Sequence, residues 1–281
     1  MDLYCVMGNP IEHSRSPWIH ARFAALTGQS LQYNKQLVPL DNFTATVAAF
    51  ADSGGRGCNV TVPFKFEAAA LAHQRSERVQ LAEACNVLSF ARDAAGALQV
   101  SADNSDGLGL VRDIVHNAGV PLQEQRVLLI GAGGAAAGVL GPLLDARPHS
   151  LVVANRSVAK AEALVARHAA LAQRCGVLLS ASGLDALPMG FDVVINATAS
   201  SLSGAGVPVA ATVLKPGALA YDMMYGPSAQ GFLDWARAHG AQPRDGLGML
   251  VEQAAEAFAL WRGVRPPSAQ VLAELRALVL P

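Results

Sequence analysis

The chain carries little charge, few cysteines and no segment built to cross a membrane. Of 281 residues only 15% are charged, 21 basic against 22 acidic, for a net of −1. No Lys/Arg cluster exceeds a pair, so no field is present to hold a polyanion, which argues against a nucleic-acid or anionic-membrane partner. The four cysteines (Cys5, Cys58, Cys85, Cys175) have no CxxC spacing. No secretory signal precedes them, so the expected setting is reducing and cytoplasmic, with neither a disulfide frame nor a zinc cluster. GxSxG, HExxH and a Walker Lys-Ser/Thr are all absent. Asp103–Gly107 has the acidic look of a calcium loop, but Ala102 falls where the first ligand belongs. Val127–Leu144 runs 18 residues without a charge, yet holds five glycines and Pro142. A buried strand running into a buried helix accounts for it better than a membrane span.

What is present is apolar and small. Hydrophobic residues make up 52% of the chain, enough for a substantial core in one large domain or two ordinary ones. The first third alternates strands and helices: a strand at Leu3–Met7, Ser16 capping a helix with Pro17 at its first position, a strand at Leu31–Val38, and Asp41 capping a helix to Asp52. A strand at Cys58–Val62, a helix at Phe64–Ala72, and a hairpin turning at Asp93–Gly96 follow. A helix from Asp106 to about Asn117 opens the middle third. Beyond it, buried strands at Val127–Ile130, Leu151–Ala154, Val193–Asn196 and Leu219–Asp222 set a βαβ rhythm, which implies a parallel sheet. Gly248–Trp261 and Ser268–Leu280 read as helices folding back on the first domain. The division expected is 1–105, with 247–281 returning to it, and 106–246.

One loop has a phosphate-binding design. Gly131-Ala132-Gly133-Gly134-Ala135-Ala136 follows a strand directly, opens a helix, and has G-x-G-x-x-A spacing. Gly131 permits the tight turn, Gly133 lets backbone N–H groups approach a pyrophosphate, and Ala136 lets helix and strand pack closely. The next strand ends at Asn155-Arg156-Ser157, 24 residues after Gly131, where an NAD site would place Asp or Glu on the ribose 2′-hydroxyl. Arg156, Ser157 and Lys160 instead suit a 2′-phosphate, which favours NADP as cofactor. Ser157 also fits as a helix cap.

Hydride transfer at an alcohol needs a proton shuttle held by an oriented partner. No histidine presents itself, and only 4 of the 21 cations are lysines. Lys65, at a strand end running into a helix, is a candidate shuttle, because a desolvated lysine can release a proton and an arginine cannot. A solvated first-turn lysine is the alternative. Asp106 reads both as a helix N-cap and as the carboxylate that would keep Lys65 charged and aimed.

Taken in order, these segments resemble the shikimate dehydrogenase family over nearly the whole chain. The matching segments are Ser14-Arg15-Ser16-Pro17, Asn59–Lys65, Asn86, Asn104-Ser105-Asp106-Gly107, Gly131–Ala135, Asn155-Arg156-Ser157, Asn196-Ala197-Thr198, Asp222–Tyr225, and Asp245–Leu250 with Gln253. The resemblance implies an α/β protein of two domains: an N-terminal substrate domain and a Rossmann-type, doubly wound NADP domain, with the C-terminal helices packing on the first. It implies NADPH-dependent reduction of 3-dehydroshikimate to shikimate in aromatic amino-acid biosynthesis. By the same resemblance Lys65 is the acid/base and Asp106 its partner. Ser14, Ser16 and Tyr225 hold the carboxylate end; Thr61, Asn86, Asp106 and Gln253 hold ring hydroxyls; Met223 and Gly246 flank the nicotinamide. No metal is implied, and the expected assembly is a monomer or weak homodimer. Departures from the family pattern are Glu83 for Gly, Cys85 for Val, Val87 and Ser105 for Thr, Ala199 for Ser, Gly226-Pro227-Ser228 without the usual Asn, and Gln230 for Thr. A paralogue acting on quinate or another hydroxylated ring acid is the runner-up. A non-catalytic NADP-binding regulator is the reading from a different class, and loss of Lys65 or Asp106 would mark it.

Overall fold

A computed structural model of the chain describes residues 1–198 and 206–279; Ala199 and Leu280 lie outside them. The chain divides into two compact units, Met1–Gly109 with Val251–Ala277, and Leu110–Leu250. Strands β1 (Asp2–Gly8), β2 (Leu31–Leu37), β3 (Gly55–Val60), β4 (Gln74–Arg75), β5 (Val87–Arg92) and β6 (Leu98–Asp103) form the sheet of the first unit, in the order β2-β1-β3-β5-β6-β4. The pairs β1–β2, β1–β3 and β4–β6 are parallel, whereas β5 runs antiparallel to both β3 and β6. That reversal positions the site. It brings the end of β3, the start of β5 and the end of β6 to one edge, so residues near 60, 86 and 104 meet. Helices α1 (Ser16–Thr27), α2 (Phe43–Asp52), α3 (Lys65–Leu71) and α4 (Glu77–Ala82) fill the connections.

Several local expectations shift. Ser16 is the first helical residue of α1 and Arg15 stands at its cap; Asn42, not Asp41, stands at the cap of α2. Neither cap residue makes a side-chain capping bond, so packing of Ile19, Phe23, Phe43 and Val47 holds these helices. The third strand starts and ends earlier than its apolar run. After Thr61 donates its N–H to Met7 O, the chain turns and leaves Val62 65% exposed. β4 and α4, two and six residues long, carry no pattern legible in the sequence; Ser76 caps α4 by accepting from the Val79 N–H. Glu83 ends α4 at φ 53°, a left-handed conformation that glycine adopts without strain.

α9 (Leu247–Arg262) and α10 (Ser268–Val279) follow at the C-terminal end. Their residues from Val251 to Ala277 join the first unit: Trp261 stacks on Tyr4 and donates to Leu88 O, and Glu274 takes a bidentate pair from Arg22. In this core His20 is wholly buried and lies parallel to the Tyr33 ring at 4.1 Å, with neither ring nitrogen hydrogen-bonded. Burial holds its imidazole down at about 3, against an ordinary 6.5. The unfolded chain therefore takes up a proton near pH 6.5 that the folded chain refuses until about pH 3, so stability falls as pH drops through that window. Between pH 6.5 and 5 the loss is expected to be about 2 kcal/mol. Urea titrations at the two pH values check it: replacing His20 with Leu should remove that part of the slope, and an unchanged slope would refute the assignment.

The second unit holds β7 (Arg126–Ile130), β8 (Ser150–Ala154), β9 (Leu178–Ser182), β10 (Phe191–Asn196), β11 (Leu214–Asp222) and β12 (Gln242–Arg244), in the order β12-β11-β10-β7-β8-β9. Every pairing is parallel. This is the doubly wound order, with its reversal between β7 and β10, where such sheets bind ligands at the strands' carboxyl ends. β9 and β12, the two edges, are only partly buried and are not legible as strands in the sequence. α5 (Asp106–Arg112) runs on into one turn of π-helix, Asp113–Asn117. α6 (Gly134–Asp145) is twelve residues long and buried from Ala136 to Leu144, which explains the uncharged run without a membrane. Among the described residues no helix is long and apolar enough to cross one. α7 (Val158–Cys175) and α8 (Gln230–Ala238) complete the unit's long helices.

Candidate active site

Lys65 opens α3 at the carboxyl end of β3, and its Nζ donates to Asp106 Oδ2 at 2.5 Å. Both side chains are largely covered, 17% and 8% exposed. Asp106 is the first residue of α5 and not its cap, because Ser105 O accepts the first helical bond, from the Gly109 N–H. Its carboxylate is thus turned to other partners. Asn86 Nδ2 donates to Asp106 Oδ1 at 2.7 Å, to Ser105 Oγ at 3.1 Å and to Gln253 Oε1 at 3.1 Å. Ser105 returns a bond from its N–H to Asn86 Oδ1 at 2.8 Å, which fixes which way the amide faces.

The frame behind these groups is also hydrogen-bonded. Asn59 Nδ2 donates to Asn86 O while Asn59 Oδ1 accepts from Tyr33 Oη at 2.7 Å. Asp103 accepts from Arg78, from Ser76 Oγ and from the Asn104 N–H, so its carboxylate ties the loop before Asp106. Nothing in the sequence marked Arg78 or Asp103 for this, since the pair spans 25 residues and follows no motif. Cys85 is buried beside Asn86, and desolvation pushes its thiol up to about 12, so it packs as an apolar group.

Of the other sequence-selected groups, Thr61 lies in the same loop as Lys65. Its Cγ2 would stand 2.4 Å from a Cβ at Gly8, and the Asn9 N–H donates to Val62 O, so the loops after β1 and β3 run side by side. Ser14 lies on the first of these, where its Oγ accepts from the Ser16 N–H at 3.3 Å. Lys65, Asn86, Ser105, Asp106 and Gln253 therefore form one cluster, with Thr61, Ser14 and Ser16 on adjoining loops of the same unit. Tyr225, Met223 and Gly246 belong to the second unit, just past the ends of β11 and β12.

In that second unit Gly131 has φ 116°, and a Cβ there would meet Ala197 O at 3.0 Å, so only glycine serves. Gly133 caps α6, and a Cβ on it would meet no protein atom within 4 Å. Packing therefore does not require glycine at 133. Ala132, Gly134 and Ala135 continue the loop into α6 and are partly exposed, while Ala136 is buried against the sheet. Past the end of β8, Arg156, Ser157 and Lys160 are exposed, and Asn155 Nδ2 donates to Ser157 O. Ser157 stands at the cap of α7 but its hydroxyl makes no capping bond. Two cations, a free hydroxyl position and a helix N-terminus thus fit a dinucleotide with a 2′-phosphate.

A doubly wound dinucleotide unit and a second α/β unit bearing a buried lysine–carboxylate pair define a pyridine-nucleotide oxidoreductase class. Comparisons narrow it. Residues 6–88 match the shikimate dehydrogenase substrate binding domain, 113–204 the shikimate/quinate 5-dehydrogenase domain and 246–276 the shikimate 5′-dehydrogenase C-terminal domain. A shikimate dehydrogenase (NADP(+)) of Paracidovorax citrulli is 67% identical over 276 residues, 98% of this chain and 97% of that protein. The crystal structure of an Ael1 enzyme from Pseudomonas putida is 48% identical, with TM-score 0.88 over 98% of both chains. Shikimate 5-dehydrogenase of Thermus thermophilus in complex with NADP(H) and shikimate is 28% identical, with TM-score 0.82 over 99% of both. The chain belongs to the shikimate dehydrogenase family.

Proposed function

We propose that this chain reduces 3-dehydroshikimate to shikimate, reversibly, with NADPH, in aromatic amino-acid biosynthesis. The observation that carries the reading is the covered Lys65–Asp106 pair ringed by amide and hydroxyl groups. Such a ring suits a polyhydroxylated acid, and a site built that way discriminates strongly against analogues lacking a hydroxyl. When bound, NADPH supplies the hydrogen and electron pair that reduce the ring carbonyl. Lys65 delivers a proton from Nζ to the oxygen of that carbonyl, and takes it back from the hydroxyl in the reverse direction. Asp106 holds Nζ in place through Oδ2, and its Oδ1 is fixed by Asn86. Asn86, Thr61, Gln253 and Asp106 orient the ring hydroxyls, and Ser14, Ser16 and Tyr225 bind the carboxylate end.

The first unit takes the substrate role and the second holds the cofactor: Gly131 to Ala135 at the pyrophosphate, Asn155, Arg156, Ser157 and Lys160 at the 2′-phosphate, and Met223 and Gly246 at the nicotinamide. A cytoplasmic setting fits four free thiols, three of them buried, and the assembly fitting this reading is a monomer or weak homodimer. Absorbance at 340 nm, read with shikimate and quinate against NADP and NAD, tests the whole. Rapid reduction of NADP with shikimate is expected. Turnover mainly with quinate, or mainly with NAD, would overturn the substrate or cofactor assignment. Arg156→Ala should weaken NADP by about 10–100-fold, the worth of one charge-assisted contact, and leave NAD nearly unchanged. Equal weakening of both would remove Arg156 from the 2′-phosphate.

A further inference from the structure

Asp113 has no part in the chemistry above, yet it is wholly buried and its carboxylate accepts four side-chain hydrogen bonds. It begins the π-helical turn that follows α5, and insertions of this kind recur at functional positions. Its Oδ2 accepts from Tyr221 Oη at 2.7 Å and from Arg244 Nε at 2.8 Å, and its Oδ1 from Arg244 Nη2 at 2.6 Å and Asn117 Nδ2 at 2.9 Å. Tyr221 and Arg244 are register partners on β11 and β12, so one carboxylate ties the carboxyl ends of two neighbouring strands. Burial and the adjacent carboxylate push the Tyr221 phenol well up, leaving it a donor.

Both tied residues stand two positions before a proposed nicotinamide neighbour, Met223 in one case and Gly246 in the other. The two loops close directly on each other. The Gly246 N–H donates to Met224 O at 2.8 Å, and a Cβ on Gly246 would lie 2.2 Å from Met223 O. Met223 is fixed on its other side, where its N–H donates to Asn196 O. A buried ion pair adds little net stability over a packed apolar replacement, but it dictates position.

We infer that Asp113 is a positioning residue for the reduction: through Tyr221 and Arg244 it sets the two loops against which the nicotinamide end of the cofactor rests. This inference depends on the cofactor reading above. The test compares the parent with Tyr221→Phe and with the double variant Asp113→Leu/Arg244→Met, which removes both charges together. Calorimetry measures the affinity for NADP and for adenosine 2′,5′-bisphosphate, which lacks the nicotinamide half. Melting temperature, kcat and the KM for shikimate are read alongside.

The expected result is a melting temperature close to the parent's, unchanged affinity for the bisphosphate, weaker binding of NADP and an unchanged KM for shikimate. kcat should fall by up to about 10²-fold, as for ångström-scale misplacement of a reacting group. Parent-like NADP affinity and kcat in a folded double variant would make Asp113 a purely structural residue and overturn the inference. If the double variant does not fold, Tyr221→Phe decides by the same two quantities. Failure of the parent itself to bind the bisphosphate would instead strike the cofactor reading.

Discussion

Replacing Lys65 with alanine is expected to lower kcat by about 10²–10⁴-fold, the range of a lost acid–base group. Affinity for NADPH should change little, because the candidate cofactor residues lie in the other unit. Truncation also strips Asp106 of its cation, although Asn86 still donates to Oδ1. Lys65→Arg separates the two effects. The guanidinium keeps a positive charge beside Asp106 but cannot release a proton. Turnover should therefore collapse in both variants, while thermal unfolding moves less in the arginine one. Parent-like kcat in Lys65→Arg would refute proton transfer by Lys65 and reduce the pair to a structural contact. Steady-state rates, NADPH fluorescence titration and a melting curve on each variant settle the matter.

The largest stability effect is expected at Gly248, a residue in the first turn of α9 with no special backbone angle. A Cβ there would lie 1.8 Å from Asp113 Oδ1 and 2.2 Å from its Cγ, far inside contact distance. Asp113 cannot swing aside, since Tyr221, Arg244 and Asn117 all hold it. Gly248→Ala must displace the helix start or break a buried ion pair, which costs about 3–5 kcal/mol. For a unit of this size that is a fall in melting temperature of roughly 10 °C. Gly133→Ala supplies the contrast. It meets open space, so it should unfold like the parent and yet bind NADP more weakly. A Gly248→Ala protein as stable as the parent would show that the carboxylate has room to move.

How much of this was legible in the sequence follows from what kind of interaction each feature rests on. The doubly wound unit was readable because buried parallel strands are continuous apolar runs, and because the Gly131–Ala136 loop needs particular small residues at fixed spacing. Lys65 and Asp106 were visible as candidates, but composition left Lys65 between a proton shuttle and a surface lysine. Only the 2.5 Å contact, made across 41 residues, brings the two together. The misplaced helix caps share one cause. Ser16, Asp41 and Asp106 all look like helix caps, and in each case the neighbouring residue holds that position because tertiary packing or a distant partner fixes the backbone there. The role of Asp113 leaves no mark in the sequence for the same reason: its partners Tyr221 and Arg244 lie 108 and 131 residues away. Edge strands β9 and β12 lack the apolar signature because only part of each is covered.

The antiparallel ribbon of β5 and β6 has a practical consequence. Asn86 and Asp106 sit at its inner end, while its turn, Asp93–Gly96, is exposed at the other. Six residues of extended chain put about 20 Å between them. The turn closes on itself through Asp93, which accepts from the Ala95 and Ala97 N–H groups. Lengthening such a tip costs only the slow logarithmic entropy of a longer loop. An epitope, a fluorophore or a surface tether spliced between Asp93 and Gly96 would thus leave the Lys65–Asp106 cluster undisturbed, and offers a handle for immobilising the protein by the end of the ribbon remote from Asn86 and Asp106.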